Sequence, residues 1–346
     1  MWRVRYAVKA AIAYVLYGLG ILDLWRARAL RGRAVVLMYH RVLSDDARAH
    51  TGSHPGYVVA NATFARHMAC VKRRFTVLSE RTFVQHLDDQ RPFPDSSCLI
   101  TFDDGWHDNL THALPALRAH GLPAVVYLPV NFIGTRRRFW REGLTHLLLE
   151  AVRRVHADGA NRACLEPVLR AQGFEDLLAL PDGDPRPAVV EAVQREAHRR
   201  VDDGGRGALE CALGVDAASL DAVDTFLSWD EVRMMAAEGV SFGAHGVEHR
   251  LLAALPAAEA DREVRESMRV VAEQLGVPAL GFSYPNGSVT PAVRDMVEAA
   301  GYRAAFTTEP GTVDVRDDRF MLKRINVHED MTGSTPMFLA RVVGLF

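Results

Sequence analysis

The stretch Leu99-Ile100-Thr101-Phe102-Asp103-Asp104-Gly105 decides how this chain is read. An apolar, strand-forming run ends in two adjacent carboxylates and a glycine. Neighbouring residues on a strand point to opposite faces. Asp103 and Asp104 can therefore serve one site only if the chain leaves β geometry there, which Gly105 permits. Two negative charges side by side are unfavourable without compensation. A bound divalent cation supplies it and divides the labour, with one carboxylate as ligand and the other as general base.

Partners for such an ion stand in Phe242-Gly243-Ala244-His245-Gly246-Val247-Glu248-His249. His245 and His249 are four apart, a spacing that puts both imidazoles on one face of a helical turn. By itself the pair reads as polar surface with chance spacing, and the Asp pair reverses that reading. Two His and one Asp leave an open position on a tetrahedral Zn²⁺, and Co²⁺ or Mn²⁺ are the alternatives.

From Ala34 onward, strand-like runs alternate with helical patterns. The candidate strands are Ala34 to Tyr39, Phe75 to Leu78, Cys98 to Phe102, Ala124 to Leu128, Val240 to Ala244, Ala279 to Ser283, Ala304 to Thr307 and Met321 to Val327. Helical segments such as Ala62 to Arg73, Thr111 to Ala119, Ala257 to Leu275 and Pro291 to Ala300 lie between them. This rhythm predicts an α/β fold, a distorted (β/α) barrel of about seven or eight parallel strands. Barrel sites collect at the carboxyl ends of strands. His40, Asp103, Asp104, His245, Pro285, Asn286 and His328 all follow candidate strands. Between about 136 and 222 the rhythm fails. A helical insertion is expected there, interrupted at Pro181 to Pro187 and at Asp202 to Gly205, and read as decoration.

Residues 1–33 differ in character from the barrel domain expected over 34–346. Arg3, Arg5 and Lys9 precede an apolar stretch from Ala10 to Leu22, and Arg26, Arg28, Arg31 and Arg33 follow it. The stretch is short for a membrane span of roughly 20 residues. Val8, Ile12, Val15, Leu19 and Leu22 recur at helical spacing, which suits either an interfacial helix in peripheral membrane contact or a helix packed on the domain. An export signal is the weaker reading, because arginines surround the small-x-small triplet Ala27-Arg28-Ala29. Cys70, Cys98, Cys164 and Cys211 are scattered, as buried thiols in a reducing compartment would be, so a cytoplasmic location is expected. At 346 residues and 49% hydrophobic content the core is ample, and a net charge of -2 gives no pull toward nucleic acid. Oligomeric state has no signature in the sequence.

Thr101 to Gly105, followed by His245 to His249, resembles the first two motifs of the polysaccharide deacetylases, the NodB-homology or carbohydrate esterase family 4 enzymes. The resemblance runs from about Val35 to His328. It implies metal-dependent removal of acetyl groups from an N-acetylated glycan, with Asp103 as base and Asp104, His245 and His249 as metal ligands. The family's third motif carries an Arg two residues before a Pro, whereas Phe282-Ser283-Tyr284-Pro285-Asn286-Gly287 has Ser283 there. Arg324 is the candidate substitute. Tyr284, Pro285 and Asn286 are candidates for substrate or oxyanion contact. His328 matches the family's general acid by position, and His40 in Tyr39-His40-Arg41-Val42 competes with it. That tetrapeptide, with the Tyr-Pro replacement, resembles a bacterial exopolysaccharide-associated branch. Two rival readings remain: a hydrolase of another linear or cyclic C–N bond, and a carbohydrate-binding relative without catalysis.

Overall fold

A computed structural model describes residues 2–181, 183–197, 203–215 and 224–346. The chain divides into two compact units, one of Met1–Asp45, Pro55–Thr135 and Phe226–Phe346, the other of Asp46–His54 and Arg136–Thr225. The first unit holds the strands β1 (Ala34–Tyr39), β2 (Arg41–Leu43), β3 (Val58–Ala60), β4 (Thr76–Val77), β5 (Ser97–Phe102), β6 (Val125–Leu128), β7 (Ser241–Ala244), β8 (Gly281–Ser283), β9 (Ala304–Phe306), β10 (Thr312–Val313) and β11 (Ile325–Asn326).

Nine of these strands form one sheet in the order β10-β1-β5-β6-β7-β8-β9, with β11 paired to β1 and β4 to β5. Every pairing in it is parallel except that of β10. The sheet curls because one segment touches both of its sides: Leu322 bridges Phe306 of β9, and Ile325 pairs with Leu37 of β1. The distorted barrel read from the alternation is the observed fold. The pair β2 and β3 and the antiparallel β10 went unread, since two or three residues carry no periodicity.

Period-two alternation sorts side chains into two cores. Val36, Leu99, Val125, Tyr127 and Phe306 pack with Phe83, Val84 and Leu87 of the helix Glu80–Asp88. Ala244, Phe282, Tyr284 and Ala305 face the helices Ala257–Leu275 and Pro291–Ala299 instead. Tyr127 fits only because Gly243 and Gly281 flank it. A Cβ on Gly243 would collide with its ring, and one on Gly281 would lie 2.9 Å from its hydroxyl. That hydroxyl donates to Glu80 Oε1 at 3.2 Å, and burial pushes the Glu80 carboxyl up to about 8.

His67, on the helix Asn61–Arg74, is buried beneath the helix Thr335–Val342. Its Nε2–H donates to the Thr332 carbonyl at 2.8 Å, which leaves Nδ1 to accept from the Tyr39 hydroxyl at 3.2 Å. Accepting at Nδ1 requires the neutral ring, and desolvation outweighs the Thr332 bond, which favours the charged form, to hold the pKa down at about 4.

The second unit has its own core. Leu144, Leu147, Leu148 and Val152 of the helix Trp140–Ala157 pack against Leu165 and Leu169 of Gly159–Ala171, Val189 and Val193 of Arg186–Ala197, and Leu209 of Asp203–Leu213. Buried Asp224 fastens the segment 46–54 to it, accepting from Thr51 Oγ1 at 2.6 Å, Gly52 N at 2.7 Å and His146 Nε2 at 2.6 Å. The turn expected at Asp202 to Gly205 is corrected, because a helix already runs from Asp203. Asp202 itself, Asp182 within the expected Pro181 to Pro187 break, and residues 216–222 at the insertion's expected end lie outside the described residues. All four cysteines are free, and the expectation of buried thiols holds for Cys70 and Cys98 only, since Cys164 and Cys211 are exposed.

Two measurements check this packing. Gly243→Ala should lower the urea midpoint by the equivalent of about 1–3 kcal/mol through overpacking against Tyr127. His67 takes up its proton near 6.5 when unfolded but near 4 when folded, so the unfolded chain binds more protons in between. Stability should therefore fall by up to about 3 kcal/mol as pH drops through that window. In His67→Gln that part of the pH dependence should vanish.

Candidate active site

Parallel register brings the site together. Tyr39 lies opposite Phe102, so His40 and Asp103 leave β1 and β5 side by side. Met38 lies opposite Asn326, which brings His328 out next to His40. Ala244 lies opposite Phe282, which sets His245 beside Ser283.

At the end of β5 the backbone turns left-handed at two successive residues, Asp104 with φ of 75° and Gly105 with φ of 65°. The two carboxylates thus part company. A Cβ on Gly105 would approach Leu128 to 2.7 Å, so the turn also needs the missing side chain.

Asp103 turns to Arg324, and both are buried. The guanidinium donates Nη1–H to Oδ1 at 2.8 Å and Nη2–H to Oδ2 at 2.7 Å. Ser283 Oγ accepts from Arg324 Nη2 at 2.8 Å and donates to Asp103 Oδ2 at 3.1 Å, while Arg324 Nε–H donates to the Thr307 carbonyl at 2.9 Å. Burial by itself would raise the Asp103 pKa. The Arg324 charge outweighs it and holds the carboxyl below its ordinary value.

Asp104 turns to the imidazoles. Its Oδ1 lies 3.4 Å from His245 Nε2 and 3.4 Å from His249 Nε2, and the three ligand atoms fall within 4.8 Å of one another. Trp106 Nε1–H donates to Oδ2 at 3.0 Å. Oδ1 is buried, yet no described residue donates a hydrogen bond to it. Ligands about 2.0–2.1 Å from a tetrahedral ion stand about 3.4 Å apart. The cluster therefore fits a divalent metal on spacing, donor type and an orphaned carboxylate oxygen.

Protonation agrees. The Ser283 carbonyl accepts from His245 Nδ1–H at 2.6 Å, which fixes the tautomer with the Nε2 lone pair toward Asp104. Desolvation opposes the charge on His245, but Asp103 and then Asp104 raise its pKa, the response of a site short of positive charge. Burial lowers His249 to about 4, keeping it neutral. Desolvation would raise Asp104, yet His245 and His249 draw it well below the carboxylate range.

The helical turn expected for His245 and His249 is absent. His245 follows the last residue of β7, and the chain then loops with positive φ at Gly246 and His249. A residue the sequence reading missed holds this loop. Glu263, buried on the helix Ala257–Leu275, accepts from Val247 N at 2.7 Å and Glu248 N at 2.9 Å through one oxygen. An acid on the helix face that also carries Ala260, Val264 and Val271 was the available signal. Trp106 was missed as well. It stacks on Phe226 and lies 4.2 Å under Arg41, whose Nε–H donates to buried Asp108 at 2.7 Å.

Of the remaining candidates, His40 Nε2 lies 4.0 Å from Asp103 Oδ2, with its ring against Tyr57 and its pKa lowered by burial. Tyr284 does not present its side chain to the site. It is buried in the outer core, where its hydroxyl donates to the Phe320 carbonyl at 3.0 Å. Pro285 is buried and Asn286 stands at φ of 52°, a turn that packs Gly287 against Thr308.

The family described as polysaccharide deacetylase matches residues 90–164 and 200–305, just over half of the chain. YxkH of Bacillus subtilis (strain 168), whose name assigns it provisionally to the polysaccharide deacetylases, is 27% identical over 108 residues, 31% of this chain and 39% of that protein. The chain thus spans well under half of that curated relative's length. Among solved structures, the Streptococcus pyogenes deacetylase PplD in complex with acetate superimposes with a TM-score of 0.57 at 16% identity, covering 90% of this chain and 98% of that one. IcaB from Ammonifex degensii gives 0.56 at 18% identity, covering 90% and 97%. At such identities these two establish likeness of fold.

Removing one member of the buried pair should be costly. Arg324→Met leaves the Asp103 carboxylate without its counter-charge and should lower folding stability by about 3–5 kcal/mol. Adding Asp103→Asn should recover a large part of it in a urea double-mutant cycle.

Proposed function

This chain belongs to the polysaccharide deacetylase family, a group of hydrolases acting on carbon–nitrogen bonds, and from that premise we propose that it removes N-acetyl groups from an N-acetylated exopolysaccharide or its oligosaccharides with the help of a divalent metal. The observation that carries the proposal is the cluster of Asp104, His245 and His249 beside an aspartate held ionised by Arg324. Such a metal, Zn²⁺ by preference and Co²⁺ or Mn²⁺ otherwise, acidifies water and polarises an acyl oxygen.

This chain's own residues supply the rest. Asp103 takes the proton of the attacking water, and Arg324 with Ser283 holds its carboxylate in one orientation. The amides of Asp103 and Tyr284 are spent on the Tyr39 and Phe306 carbonyls, which leaves the other amides of the two turns, at Asp104, Gly105 and Asn286, as candidate oxyanion donors. His40 delivers a proton to the departing sugar amine, because its Nε2 lies 4.0 Å from Asp103 Oδ2. His328, on the neighbouring strand end, is the second candidate. The Tyr39-His40-Arg41-Val42 and Tyr284-Pro285 sequences support an exopolysaccharide over other glycans.

Acetate release from N-acetylglucosamine oligomers tests the reading. Chelation should abolish it and Zn²⁺, Co²⁺ or Mn²⁺ restore it; release indifferent to chelator would remove the metal. Asp103→Asn and His40→Ala should each reduce turnover by roughly 100-fold or more while metal stays bound, and His328→Ala should cost far less. Equal loss in both histidine variants would return the acid to dispute. Glycan binding without acetate release, or ring opening of cyclic amides in its place, would establish one of the rival readings.

A further inference from the structure

The N-terminal helices Trp2–Gly18 and Ile21–Ala29 meet at a bend of 86°, and neither is long and apolar enough to cross a membrane alone. The first packs on the helix Thr335–Val342 through one face, where Ala13 is wholly buried and the Tyr17 hydroxyl accepts from Arg74. Its opposite face is apolar too. Val8, Ile12 and Val15 are exposed on it, Val15 at 61%, Leu19 just beyond the helix is 68% exposed, and Leu24 and Trp25 of the second helix are exposed as well. Of the ten large hydrophobic residues that are exposed among the described residues, seven lie between Val8 and Trp25. A helix packed on its own domain ordinarily turns polar residues to water. This one inverts that rule on a continuous stripe.

Charge identifies what covers it. Residues 1–33 carry seven basic side chains and a single acid, Asp23, which is spent on Arg74 at 3.0 Å and Arg26 at 3.5 Å. Arg28 and Arg31, and Lys72 and Arg73 at the end of the adjoining helix Asn61–Arg74, are exposed and form no ion pair among the described residues. A second copy docked about a two-fold axis would set these like charges against each other. An anionic headgroup layer neutralises them, and Tyr14 and Trp25 are the amphipathic rings that favour its depth.

We propose that the outward faces of these two helices dock the protein onto an anionic lipid bilayer, lying in its interface. The full chain is floated with phosphatidylcholine vesicles, with and without phosphatidylglycerol, at low and high salt. Association should require phosphatidylglycerol and weaken with salt. It should disappear in Val15→Glu with Leu19→Glu, and weaken about tenfold in Arg28→Gln with Arg31→Gln, while thermal unfolding in lipid-free buffer stays unchanged. No association with phosphatidylglycerol vesicles, or association that survives the glutamates, overturns the proposal. So does a doubled mass in lipid-free light scattering that the glutamates abolish, since the face would then belong to a second copy.

Discussion

The bidentate ion pair between Asp103 and Arg324 is the constraint around which the barrel mouth is built. Two adjacent carboxylates in a buried site would each resist ionisation, and one guanidinium removes half of that problem. It also ties three strand ends together, since the same Arg324 reaches Asp103 after β5, Ser283 in β8 and the Thr307 carbonyl after β9. What remains is the charge of Asp104 facing two imidazoles, a site whose electrostatics ask for a cation.

The left-handed turn at Asp104 and Gly105 divides the two carboxylates between an arginine and a pair of imidazoles, and the surroundings hold that turn in place. Trp106 caps it by bonding Asp104, and stacks between Phe226 and the Arg41 of a second buried ion pair. Ser283 is the hinge of the arrangement: its hydroxyl bridges the ion pair and its carbonyl sets the tautomer of His245. With a serine at position 283, the guanidinium that pairs with Asp103 comes from Arg324, the residue just before β11.

Much of the fold was legible because parallel strands buried on both faces must be apolar throughout. Ala34 to Tyr39 and Ala257 to Leu275 were read to the residue. Short elements escaped, as β2, β3 and β10 offer too few residues for a period to register. The spacing of His245 and His249 led to the right pair by the wrong geometry, since helix-like separation also arises when a loop folds back through positive φ. Glu263 lay hidden because its role is to accept backbone amides that no sequence pattern marks.

The order of apolar and polar residues along the chain was enough to determine a curled parallel sheet and to assign chemistry-bearing side chains to its carboxyl ends, because both follow from local periodicity. Tertiary structure alone decided which side chains meet there. Asp103 finds Arg324 rather than an arginine at position 283, His40 comes within 4.0 Å of Asp103, and Tyr284 turns away into the core. Those outcomes depend on register between strands far apart in sequence and on the volume that Tyr127 and two glycines leave between them, and neither quantity is written in any single stretch of residues.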